Sequence, residues 1–137
     1  MKISTKGRYA LRAMIELASG EPGRPLLGRD IAAAQEIPLD YLEQIFVRLR
    51  RTKLVRTMRG AGGGYFLGKK PEDISALEIV EAAEGSLLPL DCLRNGGKCR
   101  RSKECVARTL WQDAGKAMRQ VLGDTTLADL RDRQAQL

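Results

Sequence analysis

The stretch from Ile37 to Leu67 constrains the fold of this chain more than any other part of its sequence. In its first half, Leu42, Ile45, Phe46 and Leu49 recur at intervals of three and four residues, which predicts a helix with one side in a core. The other side carries hydrogen-bonding groups: Asp40, Tyr41, Glu43, Gln44, Arg48 and Arg51. The pattern therefore predicts a helix that offers a polar surface to a partner.

The same stretch continues as a β-hairpin with a glycine-rich tip. Leu54–Met58 predicts one strand and Tyr65–Leu67 the returning strand, while the glycines between them permit a tight turn at positive φ. Upstream, Leu27–Gln35 predicts a short helix, and Glu36 with Ile37 forms the turn. A helix, a turn, a second helix and a hairpin follow one another in a winged helix-turn-helix.

Positive charge is concentrated in the same half of the chain. Residues 1–60 hold 12 Lys and Arg against 6 Asp and Glu, whereas residues 61–137 hold 12 against 11. A cationic surface releases counterions when it binds a polyanion, and this release dominates sequence-independent DNA binding. A cluster of cations alone is usually only a solvated surface. Next to a polar helix face and a glycine-tipped hairpin, it favours binding to double-stranded DNA.

The rest of the chain predicts further helices, so the expected fold is mainly α with a small β-hairpin wing. Ser4 or Thr5 can cap a first helix, and Ser75 with Glu78 forms a capping box for another. Ser102 can cap a long helix that runs to Gly123, and Thr126 begins a short last one. The long helix carries an apolar row that suits a second copy of the chain: Val106, Ala107, Leu110, Trp111, Ala114, Ala117, Met118, Val121 and Leu122.

This pattern predicts three segments. Residues 1–84 form the winged helix-turn-helix domain, 85–102 a cysteine-containing loop, and 103–137 a dimerisation helix with the short last helix. No apolar run approaches the roughly 18 residues that span a membrane, so we expect a cytoplasmic protein. An enzyme is not expected, because the chain has no histidine, no phosphate-binding loop of the P-loop type and no nucleophile–base pair.

Three cysteines stand out in the stretch from Asp91 to Trp111: Cys92, Cys99 and Cys105, with the spacing C-x6-C-x5-C. Free cysteines are often small buried side chains, but the polar and glycine-rich neighbours here argue against burial. Zinc is disfavoured because histidine and CxxC spacing are both missing. Three thiolates suit an iron–sulphur cluster, either [2Fe–2S] or [4Fe–4S], with a fourth ligand of another kind.

Four motifs together resemble the IscR-like family of winged helix-turn-helix regulators, with its NsrR- and RirA-type relatives. They are MKISTKGRYALRAMIELA, YLEQIFVRLR, RGAGGGY and the cysteine spacing followed by LW, and the resemblance extends to about Leu130. It implies a homodimeric repressor or activator whose affinity for a DNA operator depends on a cluster held by the three cysteines. Position by position, it implies DNA contacts at Tyr41, Glu43, Gln44 and Arg50, with Arg59 of the wing in the minor groove. The polar side of the same helix adds two further candidate contacts, Asp40 and Arg51. The side chains agree, because Gln reads adenine, Glu accepts from cytosine and Arg reads guanine or phosphate.

The chain departs from the family at the fourth cluster ligand. Arg108 stands where IscR-type members have a histidine, and Arg8 stands where NsrR-type members have an acid. A cation cannot ligate iron. The fourth ligand is therefore unknown, and the alternatives are Asp91, Glu104, a group of the partner subunit, a small thiol or solvent.

Two other functions remain compatible with the sequence. One is a cluster carrier or redox protein without specific DNA contacts. The other is a DNA-binding partner of a metabolic enzyme in which the cysteines are idle. Replacing all three cysteines by alanine separates the last alternative from cluster sensing. If the cysteines are idle, the replacement leaves regulation unchanged.

Overall fold

The computed structural model describes residues 3–60, 63–88, 90–93, 99–101 and 103–137. Six helices and one hairpin occur in these ranges: α1 (Thr5–Ala18), α2 (Gly28–Gln35), α3 (Leu39–Arg51), β1 (Val55–Met58), β2 (Gly64–Leu67), α4 (Ala76–Glu84), α5 (Val106–Asp124) and α6 (Leu127–Ala135). Short 3-10 turns cover Pro71–Asp73 and Asp91–Leu93. The predicted fold class, mainly α with a small β-hairpin wing, is confirmed. No helix in the described ranges has both the length and the apolar character needed to cross a bilayer.

Helices α1 to α4 and α6 enclose one hydrophobic core. The apolar row predicted for α3 lies inside it, since Leu42, Ile45, Phe46 and Leu49 are all buried. Met14 of α1 and Ile79 of α4 are fully buried as well. Because one side of α3 is packed in this way, its other side is held outward at a fixed angle.

The turn between α2 and α3 depends on one residue in the left-handed region. Glu36 has a φ of 54°, and its backbone N–H donates to the last turn of α2. The next residue, Ile37, is buried and its N–H donates to the Ala32 carbonyl at 2.9 Å. This tight turn confirms the predicted helix-turn-helix.

The wing is a two-stranded antiparallel sheet in which Val55 pairs with Leu67 and Met58 with Gly64. Leu26 bridges to Tyr65 with hydrogen bonds of 2.8 and 3.0 Å, which ties the wing to the segment before α2. A Cβ on Gly64 would lie 2.5 Å from the Leu26 carbonyl oxygen, so only a glycine leaves room for the bridge at this position. The φ of Gly64, 153°, also favours glycine. Gly62, which the sequence also assigned to the turn, lies outside the described residues.

The predicted capping box at Ser75 with Glu78 is present, and the short last helix begins after Thr126 as predicted, with a second capping box formed by Thr126 and Asp129. The cap predicted for the long helix is different, because α5 begins at Val106 with Cys105 as its N-cap; Ser102 lies outside the described residues. The last helix returns to the core, where Leu127 is fully buried and its N–H donates to the Ile74 carbonyl at 2.8 Å. Residues of the third predicted segment therefore pack into the first.

Candidate nucleic-acid interface and cysteine segment

The outward face of α3 is centred on four residues spaced four, three and four apart. Asp40, Gln44, Val47 and Arg51 share this face, which lies opposite the buried row, and all four are exposed. Val47 is 49% exposed. Sequence reasoning missed it because an apolar residue on a helix is usually assigned to the core, although its position two residues after Ile45 already excludes it from the buried row.

One flank of this face lies beside the wing. Glu43 and Arg50 are exposed, and the charge of each shifts the pKa of the Tyr65 hydroxyl of β2. Partial burial raises the pKa of Tyr65, the charge of Glu43 raises it further, and the charge of Arg50 lowers it. The Tyr65 ring packs edge-on against Phe46 with centroids 4.6 Å apart, so the wing is anchored to the core directly beneath α3.

The other flank faces α1 and α4. Tyr41 is half-buried and packs edge-on against Tyr9 of α1 at 5.5 Å, with the guanidinium of Arg12 lying 5.4 Å from the Tyr9 ring centroid. Arg48 does not belong to the polar reading face to which the sequence assigned it. Its Nη1 turns toward α4 and donates to the Ala83 carbonyl at 2.9 Å.

Five exposed cations extend from the end of α3 into the wing: Arg50, Arg51, Lys53, Arg56 and Arg59. Within the described ranges, none of the five is ion-paired with an acidic side chain. Unpaired cations at a surface remain available to neutralise phosphates. Arg59 directly follows β1, so it stands at the tip of the wing.

The three cysteines occupy different local environments. Cys92 is half-buried in the 3-10 turn, Cys105 is half-buried at the start of α5, and Cys99 is exposed. All three are free thiols. Among the residues that the structure describes, no three Cys, His, Asp or Glu side chains are gathered closely enough to hold a metal ion.

Arg108 lies next to the stretch from Cys92 to Cys105, which we call the cysteine segment. Its Nη2 donates to the Cys92 carbonyl at 3.4 Å, and its Nε is buried without a hydrogen-bond partner among the described residues. Arg8, the other cation at a predicted ligand position, is exposed on α1 and donates to Thr5 Oγ1 at 3.2 Å. Asp91 and Glu104, the two acids beside the cysteines, are both exposed.

Comparison with known proteins gives concordant likenesses. A family model described as "Rrf2: Iron-dependent Transcriptional regulator" matches residues 3–133. The HTH-type transcriptional regulator IscR of Escherichia coli is 38% identical over 134 residues, which are 98% of this chain and 82% of that protein.

Solved structures show the same likeness. The structure of CymR, the global cysteine regulator of B. subtilis, has a TM-score of 0.81 and 40% identity, and the match covers 97% of this chain and 98% of that one. The structure of T. potens IscR has a TM-score of 0.79 and 34% identity, with 100% and 92% covered.

Proposed function

Because this chain belongs to the Rrf2 family of transcriptional regulators, we propose that it binds a DNA operator as a homodimer and that an iron–sulphur cluster controls its affinity. The predicted resemblance to IscR-like regulators is confirmed at the level of the family. The individual DNA contacts, the dimer and the cluster are our proposals.

The observation that carries the DNA-binding proposal is the outward face of α3 beside a row of five cations that have no ion pair with any acid that the structure describes. We assign base contacts to Gln44 for adenine, Glu43 for cytosine and Val47 for the thymine methyl group. Arg50 and Arg51 bind guanine or phosphate, Tyr41 and Asp40 border the contact, and Arg59 enters a narrow A·T-rich minor groove. The edge-on packing of Tyr65 against Phe46 supports this arrangement because it fixes the wing relative to α3.

The homodimer is supported by the apolar row of α5. Val106 is 81% exposed, Leu110 61% and Val121 66%, and these residues share one side of the helix. A contiguous apolar face of this length on a single helix is characteristic of an interaction surface. Two-fold pairing through α5 would present two α3 helices to an inverted repeat.

The cluster proposal is supported by donor chemistry. Three free thiols lie within 14 residues, from Cys92 to Cys105. Arg108, which donates to the Cys92 carbonyl, has a buried Nε–H with no acceptor among the residues that the structure describes. Thiolates and cluster sulphides are anionic acceptors, so a cluster there would satisfy this orphaned donor. When bound, a cluster supplies a centre that iron supply, oxygen or nitric oxide can alter.

Several groups are candidates for the fourth ligand of the cluster. Arg108 cannot ligate iron, but Asp91 and Glu104 are carboxylates adjacent in sequence to Cys92 and Cys105. Cys99 is exposed whereas Cys92 and Cys105 are half-buried, and a cluster held by all three would have to bring their sulphurs together. A cluster with one weak ligand would be lost readily in air.

A second candidate is favoured by a specific observation. The likeness to the global cysteine regulator CymR is as strong as that to IscR, and a cation occupies the ligand position at Arg108. In this alternative the chain binds DNA, reports on cysteine supply through contacts with another protein, and its own cysteines are idle.

Anaerobic purification separates these candidates. We expect visible absorption from a cluster, and operator affinity that changes at least severalfold when air is admitted. A variant with Cys92, Cys99 and Cys105 replaced by alanine should be colourless, and its operator affinity should not change in air.

Iron below about one atom per chain under anaerobic conditions would reject the cluster. Unchanged regulation by the alanine variant in cells would favour idle cysteines. Equal affinity for all DNA sequences, with cluster transfer to acceptor proteins, would indicate a carrier.

A further inference from the structure

The last turn of α4, residues 81–84, is held by three other helices at once. Arg48 of α3 donates to the Ala83 carbonyl at 2.9 Å. Glu84 accepts a hydrogen bond from the Gly7 N–H of α1 at 2.8 Å and another from the Ser4 hydroxyl. We call these four residues the α4 end.

A third helix meets the α4 end from the other side. Glu81 forms an ion pair with Arg119 of α5. Directly after Glu84, Gly85 has a φ of 90°, and the chain there leaves α4 toward the cysteine segment. Helices α1, α3 and α5 and the cysteine segment therefore share this one attachment.

The contact from Arg48 satisfies a helix terminus. The last four carbonyls of a helix have no N–H donor within the helix. A cation near them also interacts favourably with the helix dipole. Ala83 is fully buried, so its carbonyl depends on a protein donor more than an exposed one would. Arg48 is engaged in this bond on the flank of α3, away from the outward face that carries Gln44 and Arg51.

The contact from Glu84 is equally specific. A carboxylate at the start of α1 complements the positive end of its dipole. A Cβ on Gly7 would lie 2.8 Å from Glu84 Cγ, so the glycine is what lets the carboxylate approach. The α4 end is thus hydrogen-bonded to the start of α1 through Glu84 and to α3 through the Ala83 carbonyl.

We infer that Arg48 is a positioning residue for operator binding, which transmits the position of the α4 end to α3. A shift of the cysteine segment would move Gly85 and the α4 end, and the hydrogen bond from Arg48 would carry that shift to the outward face of α3. This inference deepens the proposed function, because it rests on α3 being the helix that contacts DNA.

A double-mutant cycle tests this inference on the full chain. The variants are Arg48→Met, Glu84→Gln and the two together, and the probe is a duplex selected from random sequences by the unaltered protein. We expect each single change to weaken binding about fivefold, and the double variant to bind no worse than Arg48→Met alone. Arg48→Lys should restore part of the affinity, since an ammonium group can also donate to the Ala83 carbonyl.

Salt dependence separates positioning from direct contact. Arg48→Met should leave the salt slope unchanged, whereas Arg51→Met, the matched control on the outward face, should flatten it by about one unit. Additive effects of the two changes, no effect of Glu84→Gln, or a flatter salt slope for Arg48→Met would each overturn the inference. If Glu84→Gln does not fold, Glu84→Asp takes its place in the cycle.

Failure of the proposed function has a different signature. If Gln44→Ala and Arg51→Met leave the selected duplex bound as before, α3 is not the reading helix. If those two variants lose binding while the Arg48 and Glu84 effects are additive, only the positioning role is wrong. All variants of the cycle are compared at the same iron content, so a difference in cluster occupancy does not enter the comparison.

Discussion

Val47 differs in chemistry from every neighbour on the outward face of α3. Asp40, Gln44 and Arg51 can all hydrogen-bond, whereas Val47 exposes two methyl groups in their midst. An isolated exposed apolar side chain needs no explanation on an ordinary surface. On a face that reads DNA, it is suited to the one apolar group in the major groove, the methyl of thymine.

Removing the methyl groups from either partner tests this pairing. Val47→Ala should weaken binding to the selected duplex by about 1 kcal/mol, because about one buried methylene equivalent of apolar contact is lost. Replacing the contacted thymine by deoxyuridine should cost the protein a similar amount and the Val47→Ala variant nothing. The measurement is a fluorescence anisotropy titration for all four combinations. Equal losses from deoxyuridine in both proteins would show that Val47 does not contact the base.

Arg59 and Arg56 lie at two positions of the same cationic row and should behave differently. Arg59→Ala should weaken operator binding by roughly 1–3 kcal/mol and relax the preference for A·T pairs at the wing contact. Arg56→Ala, as a phosphate contact, should weaken binding to all sequences alike and flatten the salt slope by about one unit. Titrations of operator and random duplex at several salt concentrations check both. If both variants discriminate between the two duplexes as the unaltered protein does, the wing assignment is wrong.

Arg108 offers a test of the cluster that does not depend on DNA. If its orphaned Nε–H donates to cluster or cysteine sulphur, the donor stabilises the more negatively charged reduced state. Arg108→Ala should then lower the reduction potential by on the order of 50 mV, which is roughly a tenfold shift for a one-electron couple. Arg101→Ala, an exposed cation of the same segment, is the control and should shift it much less. The two potentials are measured by anaerobic redox titration, and equal shifts would mean that only net charge matters.

At the scale of elements, local patterns carried much of the prediction. The spacing of Leu42, Ile45, Phe46 and Leu49 was sufficient for α3, and the Ser75 and Thr126 capping boxes marked the starts of α4 and α6. These signals lie within one or two helical turns, so the sequence contains them directly. The glycines near the wing were likewise readable as a turn.

What the sequence did not reveal depends on distant partners. Arg48 has a position compatible with the polar side of α3, and its hydrogen bond to the Ala83 carbonyl, 35 residues later, directs its guanidinium toward α4. The return of α6 to the core rests on Ile74 and Thr125, which no periodicity connects. Val47 was missed for the opposite reason, since its apolar side chain suggested burial that the fold does not provide.

The capping box of α4 should make stability depend on pH. Partial burial raises the pKa of Glu78, but hydrogen bonds from Lys69 and Ser75 outweigh it and hold the pKa below the ordinary 4.5. A carboxyl with a lowered pKa stabilises the fold above the unfolded value, and this contribution is lost as pH falls through the folded value. Glu78→Gln should therefore be less stable than the unaltered protein at neutral pH and about equally stable in acid.

The size of this effect is limited by solvent. The Glu78 side chain is 42% exposed, so we expect a loss of no more than about 1 kcal/mol. Urea unfolding at neutral pH and at an acid pH below the folded pKa of Glu78 provides the comparison. Asp124→Asn, an exposed carboxyl outside any capping box, is the control. A difference between Glu78→Gln and the unaltered protein that persists in acid would contradict a role for the charged carboxylate.

At the scale of the whole molecule, α5 connects all the proposed activities. Its first residues follow Cys105, its middle carries the apolar row, and Arg119 near its end pairs with Glu81 of the α4 end. If the cysteines bind a cluster and α5 pairs with a second copy, as we propose, a change at the cysteines would reach both the dimer contact and the proposed DNA-binding face through α5.

Charge placed in the apolar row should separate the two copies. Each substitution occurs twice in a two-fold dimer, so Leu110→Glu or Val121→Glu should weaken association by about 3–6 kcal/mol, or roughly 100-fold or more. Gln120→Glu adds the same charge outside the row and should leave the dimer intact.

Analytical ultracentrifugation measures the mass of the protein in solution and so tests whether it is a dimer. Trp111 is the sole tryptophan and is 44% exposed in the single chain, so its emission should shift to longer wavelength when the dimer dissociates. A monomer should also bind a half-site duplex and a full inverted repeat with nearly equal affinity. If Leu110→Glu stays dimeric, or if the unaltered protein is itself a monomer that binds the full repeat, pairing through α5 is wrong.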